Sequence, residues 1–267
     1  MSRTLPTTLA IKKIIPEAKG IKTFVFESNL KFNPGQFVML WLPRVDEKPF
    51  GVWRAGKKEI CITVSAVGNF SRKLHELKVG AKIGIRGAFG QGFTIPKNKK
   101  IVLVGGGFGT APLLELAAVA TACGCKINFI IGARSASLIF GKNYAEKLGA
   151  NVFIATNDGS CGEKCLNTEL LEKLTSDSSQ KIDAVFTCGP ELMMKRVAEI
   201  CFESKIPCEL SLERFMKCGF GVCGSCAMDN SGWCVCSHGP VISGAEALKF
   251  VEFGKYRRDS VGKRVEF

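Results

Sequence analysis

The chain has 267 residues, 46% hydrophobic and 23% charged, a composition typical of globular domains. No apolar run approaches the roughly 20 residues that span a bilayer and no signal peptide is recognisable, so we expect a cytoplasmic protein with no membrane partner. The net charge of +13 is dispersed and accompanies no nucleic-acid-binding motif, which argues against a nucleic-acid partner. Thirteen cysteines, an odd number, argue against a disulfide framework and favour a metal site among reduced thiols.

Short alternating segments separated by turn residues fill the first hundred residues. One helix is predicted among them, over 71–77, with Ser71 as its N-cap. The predicted strands cover 8–15, 21–27, 36–42, 60–67 and 82–86. Many short strands with little helix predict a small antiparallel β-barrel over residues 1–98.

Three predicted loops of this barrel suit a phosphate-bearing cofactor. The loop at 46–52 offers a base, a rigid proline and an aromatic ring, and the loop at 67–71 leads into a helix whose first amides are unpaired. The loop at 87–93 packs three glycines among two aromatic residues. Each is also compatible with an ordinary surface loop. The candidate residues are Lys48, Pro49, Phe50, Gly51, Gly68, Asn69, Ser71 and Gly90.

The pattern changes at residue 99. An apolar strand at 101–104 precedes a glycine-rich loop at 105–110 and an apolar helix at 111–123. Glycines let the backbone approach a pyrophosphate, and a helix N-terminus favours its negative charge. The spacing is not the strict G-x-G-x-x-G, so the dinucleotide site is predicted from the strand–loop–helix order, with a plain tight turn as the alternative.

Three further strand–helix pairs follow, at 127–131 with 138–148, 152–155 with 168–174, and 184–187 with 191–202. This alternation predicts a doubly wound parallel sheet over residues 99–207, with ligands beyond the carboxyl ends of its strands. The candidate nucleotide-binding residues are Gly105, Gly106, Gly107, Gly109, Thr110, Arg134, Asp158, Cys188, Gly189 and Pro190.

Three of these candidates have alternative roles. Arg134 could bind the 2′-phosphate of NADP or cap its loop. Asp158 could bind a ribose hydroxyl of NAD or form a turn. The sequence therefore does not decide between NAD and NADP. Cys188 is a weak candidate for a catalytic nucleophile, because neither histidine of the chain lies near it in sequence. A small residue beside a nicotinamide is the favoured interpretation.

Residues 208–267 contain a C-x4-C-x2-C run, formed by Cys218, Cys223 and Cys226, with Cys234 and Cys236 close behind. This is the plant-type [2Fe–2S] spacing. Small residues between the thiols let the backbone curl around an inorganic core and direct amides at its sulfurs. A structural zinc site usually shows two C-x2-C pairs, and one is present here, so iron–sulfur is favoured over zinc and over loose thiols.

The order of these parts resembles the ferredoxin–NADP reductase superfamily with an added iron–sulfur segment. Within it, the chain is similar to the electron-transfer subunit of NAD-linked (class B) dihydroorotate dehydrogenase. The resemblance covers about residues 8–250, and its motifs are Glu213-Arg214-Phe215-Met216-Lys217-Cys218 with the thiols after it, Gly239-Pro240-Val241, and the segments 102–113 and 187–195.

That family implies an α+β multidomain chain: an antiparallel flavin-binding β-barrel with FAD, a doubly wound NAD-binding domain and a small [2Fe–2S] domain. Its cluster domain contacts a catalytic subunit that holds flavin mononucleotide and oxidises dihydroorotate in pyrimidine biosynthesis. The resemblance implies a hetero-oligomer, expected to be a heterotetramer. Electrons pass from the partner's flavin through the cluster to FAD, and then as hydride to NAD. The implied iron ligands are Cys218, Cys223, Cys226 and Cys236, with Cys234 as competitor for the last place.

The chain departs from the family pattern at several positions. Lys48-Pro49-Phe50-Gly51 stands where Arg-Pro-x-Ser is usual, Phe70-Ser71 ends the second loop, and His238 replaces an acidic residue. A lysine keeps the charge of arginine but loses its planar fork. Two alternatives therefore stay open: the same module serving another partner, such as a sulfide dehydrogenase or hydrogenase, and a zinc-stabilised interaction module without enzymatic activity.

Overall fold

The computed structural model describes residues 5–56, 58–177 and 179–267. Residues 1–4, which the predicted barrel domain includes, lie outside this part. The described strands form a seven-stranded antiparallel sheet, a six-stranded and mainly parallel sheet, and a two-stranded hairpin. The predicted fold class is confirmed. No helix in these ranges is long and apolar enough to cross a membrane.

The antiparallel sheet has the strand order β4-β3-β7-β1-β2-β6-β5 and encloses an apolar core that includes Phe24, Phe26, Leu40 and Ile62. Side chains of alternating strand positions supply this core, as the sequence pattern predicts. The elements are β1 (Thr7–Ala18), β2 (Ile21–Glu27), β3 (Phe37–Leu42), β4 (Asp46–Gly51), β5 (Trp53–Gly56), β6 (Glu59–Ser65), α1 (Asn69–His75) and β7 (Lys82–Phe89).

Strand β4 corrects the prediction of a loop at 46–52. It pairs with β3 from Phe37↔Gly51 to Leu42↔Asp46. Pro49 argues against a strand by propensity, but β4 is at the edge of the sheet, where a missing backbone donor interrupts no second ladder. Strand β5 was also not predicted.

Helix α1 begins two residues before the predicted start, so Ser71 is not its N-cap. The N-cap is Gly68, and Ser71 is the third helical residue. The Ser71 hydroxyl accepts a hydrogen bond from Gly68 N at 2.9 Å, as in a capping box. The hydroxyl therefore stabilises the helix from inside its first turn.

The second sheet has the order β10-β9-β8-β11-β12-β13, and β13 alone of these six strands is antiparallel to its neighbour. The predicted doubly wound sheet is confirmed. Its elements are β8 (Lys100–Gly106), α2 (Thr110–Ala122), β9 (Lys126–Ala133), α3 (Lys142–Lys147), β10 (Asn151–Thr156), α4 (Asn167–Ser176), β11 (Ala184–Cys188), α5 (Glu191–Glu203), β12 (Cys208–Ser211) and β13 (Val241–Ser243). The helix predicted at 138–148 is wrong in extent, because Gly141, with φ of +82°, separates a 3-10 turn at Ala136–Leu138 from α3.

Helix α2 lies between the two sheets. Leu113, Leu114 and Leu116 are fully buried, as expected of a helix that is apolar all round. It shares one core with the parallel sheet and with Trp53 of the barrel. Arg54 Nη1 adds an ion pair to the buried Glu115 at 2.7 Å. The barrel therefore packs directly on the start of the nucleotide domain.

The C-terminal part begins inside the parallel sheet, since β12 and β13 belong to it. The domain limits 1–98, 99–207 and 208–267 stay a prediction. A long loop between β12 and α6 (Val235–His238) carries the first four cysteines of the segment and packs on Met39 and Phe89 of the barrel. The remaining elements are α7 (Gly244–Ala247), β14 (Tyr256–Arg258) and β15 (Arg264–Glu266).

Candidate functional site

A cleft of about 450 Å³ lies where the barrel meets the carboxyl ends of β11 and β12. One wall comes from β4 and the loop before α1, the opposite wall from the start of α2, and residues 211–214 and Met216 also line it. The structure thereby brings together candidates that are distant in sequence. They are Lys48, Pro49, Phe50, Gly51, Gly68, Asn69, Ser71, Gly109 and Cys188.

Gly90 is the barrel candidate that does not line this cleft. Its φ is +76°, and a Cβ there would lie 2.5 Å from the carbonyl oxygen of Gly239. The absence of a side chain allows the end of β7 to meet the segment before β13.

Strand β4 supplies both charge and an aromatic ring to the cleft. Lys48 Nζ lies 2.6 Å from Asp46 Oδ2 and 4.7 Å from the ring centroid of Phe215. The rings of Phe50 and Phe70 stack at 5.8 Å between centroids. Phe70, a departure from the family pattern, thus packs against the ring of Phe50 on β4.

Packing explains the glycine at position 51. A Cβ there would lie 2.9 Å from Cγ of Pro112, so the first turn of α2 fills the space that a serine would need. A glycine is the residue that this close approach accepts. At Gly68 a Cβ would meet nothing within 4 Å, so that backbone is open to the cleft.

The glycine-rich loop follows β8 and touches the loop after β11. A Cβ on Gly109 would lie 2.5 Å from Cα of Gly189, and one on Gly106 would lie 2.7 Å from Cδ of Pro190. Sequence candidates from two strand ends are therefore in contact. A Cβ on Gly107, where φ is +54°, would meet nothing within 4 Å, which leaves an open backbone cradle.

The Thr110 side chain indicates whether the glycine-rich loop could hold a dinucleotide. Its hydroxyl is completely buried, and in the described part of the chain it is the buried side-chain oxygen that lacks a hydrogen-bond partner. A buried hydroxyl without a partner is costly, and a bound acceptor such as a pyrophosphate would satisfy it. The residues of this loop fit a dinucleotide.

Arg134 and Asp158 lie beyond the ends of β9 and β10, outside the lining of the cleft. Asp158 Oδ1 accepts hydrogen bonds from the backbone and hydroxyl of Ser160, and these contacts lower the pKa of Asp158. Asp158 N donates to the Arg134 carbonyl at 3.3 Å. Asp158 therefore acts as a turn residue here, and the Arg134 side chain is exposed.

Cys188 ends β11 and is buried beside Ser211 of β12. Burial, and then the charge of Glu213, raise the pKa of its thiol. A thiol that stays protonated is a poor nucleophile. The arrangement suits a small neutral residue at the bottom of the cleft.

Glu213 is a cleft residue that was not among the predicted site residues, although it begins the motif that leads to Cys218. Glu213 lines the cleft and is exposed. Desolvation by the neighbouring protein raises the pKa of Glu213, although Arg257 and Arg214 oppose the shift. The alternation of Ser211 and Glu213 after a buried strand was the available signal.

The cysteine loop brings the predicted thiols close together. Cys223 interacts with Cys218, and both Cys234 and Cys236 interact with Cys226. In the described ranges, no group of three His, Cys, Asp or Glu side chains is arranged to hold a metal ion. The C-x4-C-x2-C spacing, with a further thiol behind it, suits a centre with two irons, each of which takes two protein ligands.

The fourth thiol has two candidates with different surroundings. Cys236 is buried, and its sulfur accepts a hydrogen bond from Gly221 N at 3.1 Å. Cys234 is half-buried and also interacts with the Cys226 thiol, and its Sγ lies 3.7 Å from the Gly232 carbonyl oxygen. An amide directed at the Cys236 sulfur is the contact that iron–sulfur ligands receive.

Buried charges connect the thiols to the cleft. Arg214 binds both carboxylates of Glu191 and Glu252, and all three side chains are at most 5% exposed. Glu252 also accepts from Asp229 N at 2.7 Å, and Glu191 accepts from Gly254 N at 3.0 Å. This buried charge network joins the helix after Pro190 to the cysteine loop.

A second link runs from the barrel. Arg86 donates to both carboxylate oxygens of Glu47 and to the Lys217 carbonyl at 3.4 Å. Its guanidinium lies 5.7 Å from the ring centroid of Phe220. The cysteine loop is therefore held against the same strands that form the cleft.

Comparisons with known proteins agree with this arrangement. Residues 213–247 match the family model of the iron–sulfur cluster binding domain of dihydroorotate dehydrogenase B. The chain is 44% identical to the probable dihydroorotate dehydrogenase B (NAD(+)), electron transfer subunit, of Methanocaldococcus jannaschii, over 98% of this chain and 99% of the relative. It is 43% identical to the protein of the same name in Methanothermobacter thermautotrophicus, over 99% and 98%.

Solved structures show the same architecture. The NADH-dependent reduced ferredoxin–NADP oxidoreductase, studied for flavin-based electron bifurcation, superposes with a TM-score of 0.81 at 28% identity, over 91% of this chain and 92% of that one. The flavohemoglobin of Malassezia yamatoensis, with bound FAD and heme, superposes with a TM-score of 0.64 at 17% identity, over 76% and 57%. At 17% identity, the superposition on the flavohemoglobin shows only that the two proteins share a fold.

Proposed function

Because the chain belongs to the family of dihydroorotate dehydrogenase B (NAD(+)) electron transfer subunits, we propose that it carries electrons from a catalytic subunit, through a [2Fe–2S] cluster and FAD, to NAD⁺. The partner holds flavin mononucleotide and oxidises dihydroorotate, in a cytoplasmic heterotetramer that serves pyrimidine biosynthesis. When bound, the cluster supplies one-electron transfer and the flavin supplies hydride transfer.

The observation that carries this proposal is the continuity of one short segment. Glu213, Arg214 and Met216 line the cleft, and Cys218 follows after a single further residue. The buried charge network and Arg86 fix both ends of this segment. The thiols and the cleft are thereby held at a fixed separation, which an electron path requires.

The chain's own residues have separable tasks. Phe50 and Phe70 offer an apolar wall for a flavin ring, and Lys48 offers positive charge for its phosphates. The open backbone at Gly107 and the Thr110 hydroxyl hold the dinucleotide, while Cys218, Cys223, Cys226 and Cys236 hold iron.

The test is spectroscopic. The protein is purified without oxygen, and its absorption and electron paramagnetic resonance spectra are recorded before and after NADH is added. We expect flavin absorption that bleaches with NADH and a resonance of the reduced cluster. A colourless protein without acid-labile sulfide, or one zinc in place of iron, would contradict the proposal and favour the zinc-stabilised module.

A second candidate is the same module with another partner, such as a sulfide dehydrogenase or a hydrogenase. The observation that favours it is the likeness, at a TM-score of 0.81 and 28% identity, to a protein named as an NADH-dependent reduced ferredoxin–NADP oxidoreductase and not as a dihydroorotate dehydrogenase subunit. Co-purification separates the two. A partner with flavin mononucleotide and dihydroorotate-dependent reduction of NAD⁺ supports the first function, and a partner without either supports the second.

A further inference from the structure

This inference rests on the proposed function, in which the cysteine loop holds a cluster that gains and loses single electrons. Residues around the ligands of a metal centre hold those ligands in position, and their loss typically lowers metal affinity. Two arms of the loop need such support: a first arm that leads into Cys218, and a second arm from Cys226 to Cys236. The buried charge network holds the first arm, because Arg214 belongs to both.

The second arm folds back on itself as a narrow turn. Ala227 and Cys234 form an antiparallel bridge, and Met228 N donates to the Trp233 carbonyl at 2.9 Å. The tip of the turn begins directly after Met228. Because the turn joins Cys226 to the thiols that follow it, a displacement of its tip would move thiols on both of its sides.

At this tip, the C-terminal hairpin (residues 256–266, which form β14, its turn and β15) binds the side chain of Asp229. Arg258 Nε lies 3.0 Å from Asp229 Oδ1, and Arg258 Nη2 lies 2.8 Å from Oδ2. The Tyr256 hydroxyl donates to Oδ2 at 2.9 Å, and Arg264 Nη2 lies 3.7 Å from the same oxygen. A guanidinium that binds both oxygens of a carboxylate fixes its orientation as well as its distance.

The backbone of Asp229 is held by a different residue, Glu252. Glu252 Oε2 accepts a hydrogen bond from Asp229 N at 2.7 Å, and Oε1 accepts one from Arg214 Nε at 3.0 Å. One buried carboxylate therefore binds the second arm with one oxygen and the first arm with the other. Asp229 is the residue at which the buried charge network and the C-terminal hairpin meet.

The C-terminal hairpin contributes little to any apolar core. All three residues of β15 are exposed, and a two-stranded hairpin by itself is marginally stable in water. In the part of the chain that the structure describes, the side-chain hydrogen bonds that join the hairpin to other segments go to Asp229. The hairpin also lies after residues 213–247, which match the family model. Its contacts therefore indicate a role at the cysteine loop.

We propose that the C-terminal hairpin is a clamp that holds the second arm against the first, and that Asp229 is the positioning residue through which it acts. Asp229 is not an iron ligand. Its contacts with the hairpin keep the tip of the turn in place, and the bridge at the base of the turn passes this constraint to Cys226 and to the thiols after it. The thiols of both arms thereby stay at a fixed separation.

The main test measures how fast an iron chelator removes iron from the full chain, purified without oxygen. We expect Arg258→Ala to release iron on the order of 10-fold faster than the unsubstituted chain, because the ligands of one arm lose their support. Arg258→Lys keeps the charge but not the planar fork, so it should restore part of the difference. The electron paramagnetic resonance of the reduced cluster should broaden in Arg258→Ala, an effect that lower overall stability would not produce.

The matched control is Arg257→Ala, which removes the same charge from the neighbouring position of β14. The Arg257 guanidinium is exposed and lies 5.8 Å from the ring centroid of Phe267, within the C-terminal segment. Equal iron release and equal resonance from Arg257→Ala and Arg258→Ala would overturn the inference.

A double variant tests whether the hairpin acts through Asp229. Asp229→Asn should release iron about as fast as Arg258→Ala, and the double variant should be no faster than either, because all three lose the same contact. Independent effects that multiply in the double variant would contradict the assignment of Asp229.

A further measurement needs no cluster. In the metal-free full chain, Arg258→Ala should speed hydrogen exchange at Met228 N on the order of 10-fold, because the turn opens more often, while exchange at Val102 in the core of the parallel sheet stays unchanged. Unchanged exchange at Met228 would show that the hairpin does not hold the turn. If the unsubstituted chain binds no iron and sulfide, the proposed function fails, and the exchange experiment still tests the clamp.

Discussion

The cleft is lined by open backbone at Gly68 and by the rings of Phe50 and Phe70, whereas the cysteine loop offers side-chain sulfurs. A site built from backbone atoms should keep most of its ligand affinity when one side chain is substituted, because the main chain makes its contacts. A centre held by four thiols loses a quarter of its protein ligands with one substitution. Sensitivity to mutation should therefore be concentrated in the cysteine loop and in the charges that connect it to the cleft.

The largest effect is expected at the fourth thiol. Cys236→Ser should remove the cluster, so that the purified variant contains little iron or sulfide. Loss of an outer contact to a metal ligand costs roughly 10–100-fold in metal affinity, and loss of the ligand itself should cost more. Cys234→Ser, a matched change two residues away, should keep iron and sulfide near the unsubstituted level. Metal and sulfide analysis of the anaerobically purified variants measures both. The opposite pattern would assign the ligand to Cys234.

The buried charge network should show the next largest effect. Arg214→Ala leaves Glu191 and Glu252 buried without their cation, and breaking a buried pair in this way costs about 3–5 kcal/mol of unfolding free energy. Arg196→Ala serves as the control, because its partner Glu172 is exposed and such pairs contribute about 0–1 kcal/mol. Urea unfolding measures both, and equal losses would show that the network does not connect the two regions.

Replacing Gly51 with serine, the residue usual in the family, tests how tightly β4 packs against the first turn of α2. Gly51→Ser should destabilise the chain by about 1–3 kcal/mol, because its Cβ would meet Pro112 at 2.9 Å. The double variant with Pro112→Ala should recover most of this loss, since the substitution removes Cγ. Thermal unfolding of both single variants and the double variant gives the coupling. Independent, additive effects would contradict the packing explanation.

The smallest effect concerns the backbone cradle. Thr110→Val removes the buried hydroxyl that has no partner, so the chain without ligand should gain about 1 kcal/mol in stability. Affinity for NADH should fall by about fivefold, the equivalent of one hydrogen bond. Calorimetric titration and unfolding on the same preparation check the two signs. Loss of both stability and affinity would mean that Thr110 has a structural role alone.

Local patterns in the sequence were sufficient for much of the site. The spacing of Cys218, Cys223 and Cys226 predicts a two-iron centre because ligands on one short loop meet without help from the rest of the fold. The strand–glycine–helix order predicts the cradle at 105–110 for the same reason. The family, with its flavin, nicotinamide and iron–sulfur cofactors, could be recognised from these motifs.

Contacts between distant segments were decided by the tertiary structure. Pro49 and Gly51 have low strand propensity, and β4 forms because it is an edge strand paired with β3. Glu191, Arg214 and Glu252 give no local signal that they will share one buried site, and Glu213 becomes a cleft residue only when β12 is placed beside β11. The sequence by itself determined the chemistry of the ligands, since residue types and short spacings specify it. Only the folded chain decided which charges are removed from water together and which open into the cleft, because burial depends on how remote segments pack.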